Sequence, residues 1–248
     1  MRRVLLPWEI NHLRKYGFDQ IDLDTIGTTP VEYITGHSEF RGLDFHVTPD
    51  CLIPRLETEK IVDICIEFLQ QRTTPLVLAD VGCGSGALGI SLAHALTQNG
   101  VNNFHLYLSD ISTKALQITQ ENVNTLIPHL KNSITILKSD LLSDYPKGIK
   151  IDCLVSNLPY IPSSRIQTLD PSVKNHEPVL ALDGGTDGTL LINELLHQAP
   201  EYLNSHPLLV FEIDDSHKLS IFDIPDDLRA IIKKDDFDKN RYLLVTDK

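Results

Sequence analysis

The run Leu76-Val77-Leu78-Ala79-Asp80-Val81, followed at once by Gly82-Cys83-Gly84-Ser85-Gly86, leaves this chain few ways to fold. Apolar, β-prone residues bounded by glycines predict a strand buried on both faces. The stretch from Ala87 to Leu96 is apolar again and predicts a helix. A buried strand that turns through glycines straight into a helix opens a βα unit of a parallel sheet. Glycine permits the sharp turn and lets the backbone approach a bound group closely. Ligands of open α/β sheets sit outside the carboxyl ends of the strands. The segment therefore predicts a fold class and, at its turn, a nucleotide-type site.

The same rhythm continues downstream. Strands are predicted over 104–109, 134–137, 151–156, 208–213 and 241–245. Helices are predicted from Ser112, a plausible N-cap, to Thr125 and from Thr189 to Gln198. Such alternation implies a mostly parallel sheet covered on both faces. Upstream the pattern differs. Residues 1–30 read as a short helix and a linker. Residues 31–55 read as a hairpin-like stretch with turn signals at Gly36, Arg41-Gly42 and Pro49-Asp50. In 56–71 the spacing of Ile61, Ile64, Cys65, Phe68 and Leu69 predicts a helix with one buried face. The expected organisation is a short N-terminal helical segment (1–30), a hairpin and linking helix (31–71) and the main α/β domain (72–248).

Composition removes several classes of function. Asp and Glu number 34 against 22 Lys and Arg, a net charge of -12. A phosphate-backbone binder normally carries a basic excess, so nucleic acid is not the expected partner. The four cysteines include no C-x-x-C pair, and the ten histidines show no metal-binding spacing, so no metal site is expected. No apolar run reaches the roughly 18 residues of a membrane span, and no membrane partner is expected. The apolar part of the N-terminus is too short for a signal peptide, so the expected location is cytoplasmic.

The P-loop lysine is absent from the glycine turn. The form D-x-G-x-G-x-G, with Asp80 inside the strand end, fits the methyltransferase pattern better than the dinucleotide fingerprint. Asp110 ends the next strand, where an acid can accept hydrogen bonds from both ribose hydroxyls. Asp140-Leu141 follows the third strand. There Asp140 can accept from an adenine amine while Leu141 packs on the ring. The candidate cofactor residues are Asp80, Gly82, Cys83, Gly84, Ser85, Gly86, Asp110, Asp140, Leu141 and Asn157.

The fourth strand runs into Asn157-Leu158-Pro159-Tyr160, the candidate catalytic residues. A planar nitrogen is a poor nucleophile because its lone pair is delocalised. A catalyst can hold its N–H groups with acceptors and aim the lone pair at an electrophilic methyl, and positioning of this kind lowers the barrier. The Asn157 side-chain oxygen is one acceptor. The Leu158 carbonyl is the other, held outward by the rigidity of Pro159. Tyr160 can stack on the planar group.

With these motifs and three further stretches the chain resembles the HemK/PrmC protein-(glutamine-N5) methyltransferases. The stretches are Pro30-Val31-Glu32-Tyr33-Ile34-Thr35-Gly36, the segment from Val47 through Pro54-Arg55 to Glu59, and Glu177-Pro178-Val179-Leu180-Ala181-Leu182-Asp183-Gly184-Gly185. The resemblance covers residues from about 30 to 248. It implies a Rossmann-like class I fold with a seven-stranded, mostly parallel sheet. It also implies S-adenosylmethionine as donor, S-adenosylhomocysteine as product, and N5-methylation of the glutamine in the Gly-Gly-Gln loop of a class I peptide chain release factor. Arg55 and Thr58 would lie at the methionine end of the cofactor. Two departures stand out. The family usually has Asn-Pro-Pro-Tyr where this chain has Leu158, and Asn-Leu-Pro-Tyr is also typical of adenine-N6 methyltransferases of rRNA. An rRNA or DNA adenine methyltransferase is therefore the alternative. The family's N-terminal helical domain is also longer, so the segment before Pro30 is expected to be a reduced release-factor-binding region.

Overall fold

A computed structural model describes residues 3–70, 72 and 75–248, the side chain of Leu23 excepted. The first two residues of the expected 1–30 segment, and Gln71 at the expected 71/72 boundary, lie outside the described residues. The chain opens with helices α1 (Pro7–Lys15), α2 (Leu23–Ile26) and α3 (Val31–Thr35). The hairpin β1 (His37–Phe40) and β2 (Leu43–His46) follows, turning at Arg41-Gly42. After α4 (Glu59–Leu69) come β3 (Leu76–Val81), α5 (Ala87–Gln98), β4 (Phe104–Asp110), α6 (Thr113–Leu126), β5 (Ile134–Lys138) and β6 (Ile151–Ser156). The short α7 (Pro171–Lys174) and α8 (Leu190–Tyr202) precede β7 (Leu203–Glu212), β8 (Leu228–Lys234) and β9 (Asn240–Asp247).

The seven strands from β3 onward form one sheet in the order β5-β4-β3-β6-β7-β9-β8. Pairings from β5 across to β7 are parallel, and β9 is antiparallel to both β7 and β8. This is the expected Rossmann-like class I architecture. From β3 the chain crosses first to β4 and later returns to lay β6 on the other side. The carboxyl ends of β3 and β6 thus flank the switch point where open α/β sheets bind ligands.

Burial explains why these segments form these elements. All six residues of β6 are buried and β3 is nearly so, as a central parallel strand covered by helices requires. In α4 the buried residues Ile61, Val62, Ile64, Cys65 and Leu69 make one face. That face belongs to a cluster that also contains Phe40 and Phe45 of the hairpin and Leu78 and Leu106 of the sheet. Ser112 caps α6, its hydroxyl accepting from Ala115 N–H at 3.3 Å.

Several elements differ from expectation: α2, α3 and α7 are unanticipated helices, α8 runs on to Tyr202, and two strands differ. Strand β7 begins at Leu203 rather than Leu208. The pairing with β6 shifts register between Ile151 and Cys153, and regular pairing resumes at Leu208. The irregularity accommodates Pro207, which cannot donate to a ladder. Strand β8 is unanticipated. It is an edge strand whose burial alternates residue by residue but whose sequence does not: Ile231 is exposed beside Ile232, and Lys233 and Lys234 end it, so its sequence resembles a polar loop.

Candidate functional site

A cavity of about 290 Å³ opens at the carboxyl ends of β3, β4 and β6. Its lining includes Asp80, Gly82, Cys83, Gly84, Ser85, Asp110, Asp140, Leu141, Asn157, Leu158 and Pro159. The structure thus brings together all the sequence-derived candidates except Gly86, which sits behind the turn as the N-cap of α5, and Tyr160.

The glycine turn is built locally. Gly82 and Cys83 N–H both donate to the Ser109 carbonyl, at 2.8 and 2.9 Å, carrying the turn across the end of β4. Gly82, Gly84 and Gly86 all have positive φ, the region that disfavours a Cβ. A Cβ at Gly82 would stand 2.9 Å from Leu158 Cδ2, whereas one at Gly84 would meet nothing within 4 Å. Gly84 is therefore glycine for its backbone conformation, and Gly82 also for the passage of Leu158. Letter by letter, Gly84-Ser85-Gly86-Ala87-Leu88-Gly89 also satisfies the dinucleotide fingerprint G-x-G-x-x-G. Gly89 performs that motif's packing task, since a Cβ there would lie 2.4 Å from Leu108 Cδ2. The glycine spacing alone therefore cannot separate the two ligand classes.

Three acids, Asp80, Asp110 and Asp140, stand around the turn. Asp80 is almost wholly buried and accepts from Gly89 N–H at 2.8 Å, bracing the start of α5. Burial pushes its carboxyl up to about 7. Asp110 accepts from Gly84 N–H at 2.9 Å with one oxygen and from Ser112 N–H at 2.8 Å with the other. These bonds fix both oxygens at the cavity edge and leave each with a lone pair to spare. Burial raises its pKa against the pull of those N–H donors. Leu141 adopts φ 52, rare for a side chain of this kind, and lines the cavity beside Asp140.

The backbone of the turn is steadied by residues that sequence reasoning did not single out. Thr119 donates to the Gly84 carbonyl at 2.8 Å. Asn122, buried on α6, donates to the carbonyls of Ser85 and His46 and accepts from His46 N–H, tying the hairpin to the turn. Their signal was available as two polar residues on the buried face of an amphipathic helix.

The tetrapeptide after β6 is held from a distance. Leu158 is buried against Gly82. A Cβ at Gly184 would lie 2.6 Å from the Pro159 carbonyl, and one at Gly188 would lie 2.2 Å from the Tyr160 carbonyl, so the 184–188 loop presses on the turn's backbone. The Asn157 side-chain N–H donates to Thr58 Oγ1 at 3.1 Å. Thr58 in turn donates to Glu212 Oε2 at 2.6 Å, and Tyr160 donates to Glu212 Oε1 at 2.8 Å. Among the described residues nothing donates to Asn157 Oδ1 or to the Leu158 carbonyl. Two unclaimed acceptors are therefore carried by consecutive residues that both line the cavity. Tyr160 spends its hydroxyl on Glu212 and lies outside the cavity lining.

Arg55 is the one cation of the lining, and it is paired with the buried carboxylate of Glu177. Ile111 and Leu180, also lining the cavity, are 47% and 60% exposed, so the mouth is partly apolar. Among the described residues no cluster of His, Cys, Asp and Glu could hold a metal ion, and no helix is long and apolar enough to cross a membrane.

Comparison with known proteins agrees with this architecture. The family model for the methyltransferase small domain matches residues 58–174. The hMettl16 catalytic domain, solved in complex with the MAT2A 3'UTR hairpin 1, superposes with a TM-score of 0.63 at 16% identity, over 84% of this chain and 76% of that one, a likeness of fold alone. The release factor glutamine methyltransferase of Moorella thermoacetica is 42% identical over 195 residues, 79% of this chain. This chain spans 65% of that relative's length, just under two thirds. The Bacillus cereus release factor glutamine methyltransferase is 35% identical over 208 residues, 83% of this chain and 70% of its own length. By fold, by cavity position and by identity over most of its length, this chain belongs to the release factor glutamine methyltransferase family.

Proposed function

We propose that the protein transfers a methyl group from S-adenosylmethionine to N5 of the glutamine in the Gly-Gly-Gln loop of a class I peptide chain release factor. The observation that carries this reading is the pair of unclaimed acceptors, Asn157 Oδ1 and the Leu158 carbonyl, on consecutive residues that both line the cavity. A carboxamide NH2 has two N–H groups, and two acceptors match them. When bound, S-adenosylmethionine supplies an electrophilic methyl on a cationic sulfur. Asp110 would accept from the ribose hydroxyls, Asp140 and Leu141 would receive the adenine, and the glycine turn would admit the rest of the donor. Asn157 and Leu158 orient the substrate nitrogen so that its lone pair takes the methyl. The electron pair of the broken carbon–sulfur bond would remain with the donor, and the nitrogen's surplus proton would pass to solvent. No strong base is required beforehand, because the nitrogen becomes acidic as the bond forms.

The adenine alternative would present the same planar N–H groups. The lining speaks against it, because its single cation is already paired and the mouth is partly apolar, a poor match to a phosphate backbone. Residues 1–30 and 31–71 are proposed to flank the methyltransferase domain of 72–248 and to help receive the protein substrate. The test is incubation with a class I release factor and labelled donor, followed by mass mapping. Label on the Gly-Gly-Gln glutamine is expected. No label on that residue, or label on adenine of rRNA or DNA instead, overturns the proposal.

A further inference from the structure

Resting on the proposed reading, we infer that Thr58 and Glu212 are positioning residues that fix which end of the Asn157 amide faces the substrate nitrogen. An Asn side chain presents an acceptor at one end and two donors at the other, and the two ends are nearly the same shape. Shape alone therefore does not select the productive orientation. A substrate NH2 needs the oxygen. The donor end would meet it N–H to N–H and repel it.

The selection comes from a chain of hydrogen bonds that runs in one direction when Glu212 is ionised. Burial raises the Glu212 carboxyl above its ordinary value, while its hydroxyl donors Thr58 and Tyr160 and the nearby Arg241 cation favour the ionised form, which can only accept. Glu212 is 1% exposed and lies at the end of β7, with one oxygen facing the Thr58 hydroxyl and the other facing the Tyr160 hydroxyl. Thr58 therefore spends its single proton on Glu212. The contact, at 2.6 Å, is in the range of a charge-assisted O–H···O bond. With its proton committed, Thr58 can only accept from Asn157. The amide nitrogen must turn to Thr58, as the 3.1 Å contact has it, and Oδ1 is left for the cavity. Removing the hydroxyl of Thr58 removes the selection without touching Asn157. Neither residue is close to Asn157 in sequence: Thr58 is 99 positions away, and Glu212 lies a further step across the sheet.

The test is the series Thr58→Val and Thr58→Ser against the wild type. Valine keeps the shape and loses the hydroxyl; serine keeps the hydroxyl. Thr58→Val is expected to lower kcat about 10- to 100-fold, the scale of misplacing a reacting group. The KM for release factor and the Kd for S-adenosylmethionine should stay within a few-fold, and Thr58→Ser should recover most of the rate. Wild-type kcat in Thr58→Val, an equal loss in both variants, or a loss that tracks donor affinity would overturn the inference. A second readout needs no turnover. With selectively 15N-labelled asparagine, one side-chain amide proton of Asn157 should be protected from exchange in the wild type and in Thr58→Ser, and unprotected in Thr58→Val. Equal exchange in all three refutes the orienting role. A wild type that fails to methylate glutamine refutes the proposed function, and the exchange measurement still decides the orientation.

Discussion

The two sides of the cavity are built on different principles. The cofactor side is held mostly within two adjacent βα units, β3–α5 and β4–α6, with Asn122 adding a tie to the hairpin. Ser109 carries the glycine turn, Asp110 takes Gly84 N–H, and Asp80 takes Gly89 N–H within its own strand–turn–helix. The substrate side is held from elsewhere in the chain. Asn157 leans on Thr58, Tyr160 on Glu212, and the turn's carbonyls on glycines of the 184–188 loop. The first side can form once those two adjacent units pair. The second requires α4, β6, β7 and the loop before α8 to be in place together.

Perturbing each side should separate the two functions. The largest effect on turnover is expected from Asn157→Ala. It should cut kcat about 10²–10³-fold, the scale of losing one preorganised group at the reacting centre, while the donor Kd from titration barely moves. Equal activity in this variant would remove the substrate side from the mechanism. Gly188→Ala attacks the same side through its support. A methyl group 2.2 Å from the Tyr160 carbonyl, at φ +85, should destabilise the fold by roughly 3 kcal/mol in urea unfolding and lower kcat with it. A Gly188→Ala protein of normal stability and normal kcat would show that the loop does not support the turn. Asp110→Ala addresses the cofactor side. Donor affinity should weaken about 10- to 100-fold through loss of bonds to a charged acceptor, with kcat at saturating donor changing less. If kcat falls while the Kd holds, the contrast between the two sides is wrong.

The smallest effect concerns pH. The folded-state pKa of Asp80, about 7, lies above the ordinary carboxylate value near 4. Its contribution to stability is therefore complete below about pH 4 and is lost as pH rises toward 7. Asp80→Asn keeps an acceptor for Gly89 N–H and removes the titration. Relative to the parent, the variant's urea midpoint should rise between about pH 4 and pH 7 and level off above that. A flat difference across that window would show that Asp80 is ionised in its buried site.

Legibility in the sequence follows the same division. Strand β3, the turn and α5 were readable because burial on both faces, glycine spacing and helical periodicity are local signals. Ser112 was readable as a cap for the same reason. Strand β8 was not, because an edge strand with Lys233 and Lys234 carries little alternation and gains its identity from pairing with β9. Within the site, Asp110 and Asp140 were legible as strand-end acids. Glu212 was not, although it also ends a strand. Nothing near it in sequence indicates that its carboxylate is buried between two hydroxyls.

By itself the sequence determined the α/β class, the glycine turn and its flanking acids, and the presence of an Asn-Leu-Pro-Tyr turn beyond a buried strand. Each is a matter of backbone preference and side-chain type over short spans. Only the tertiary structure decided that Leu158 packs over Gly82, that Gly184 and Gly188 are pressed against the tetrapeptide, and that Asn157 is tied through Thr58 to Glu212. Hydrogen-bond direction and steric contact depend on which groups meet, and these groups meet only once the sheet has assembled.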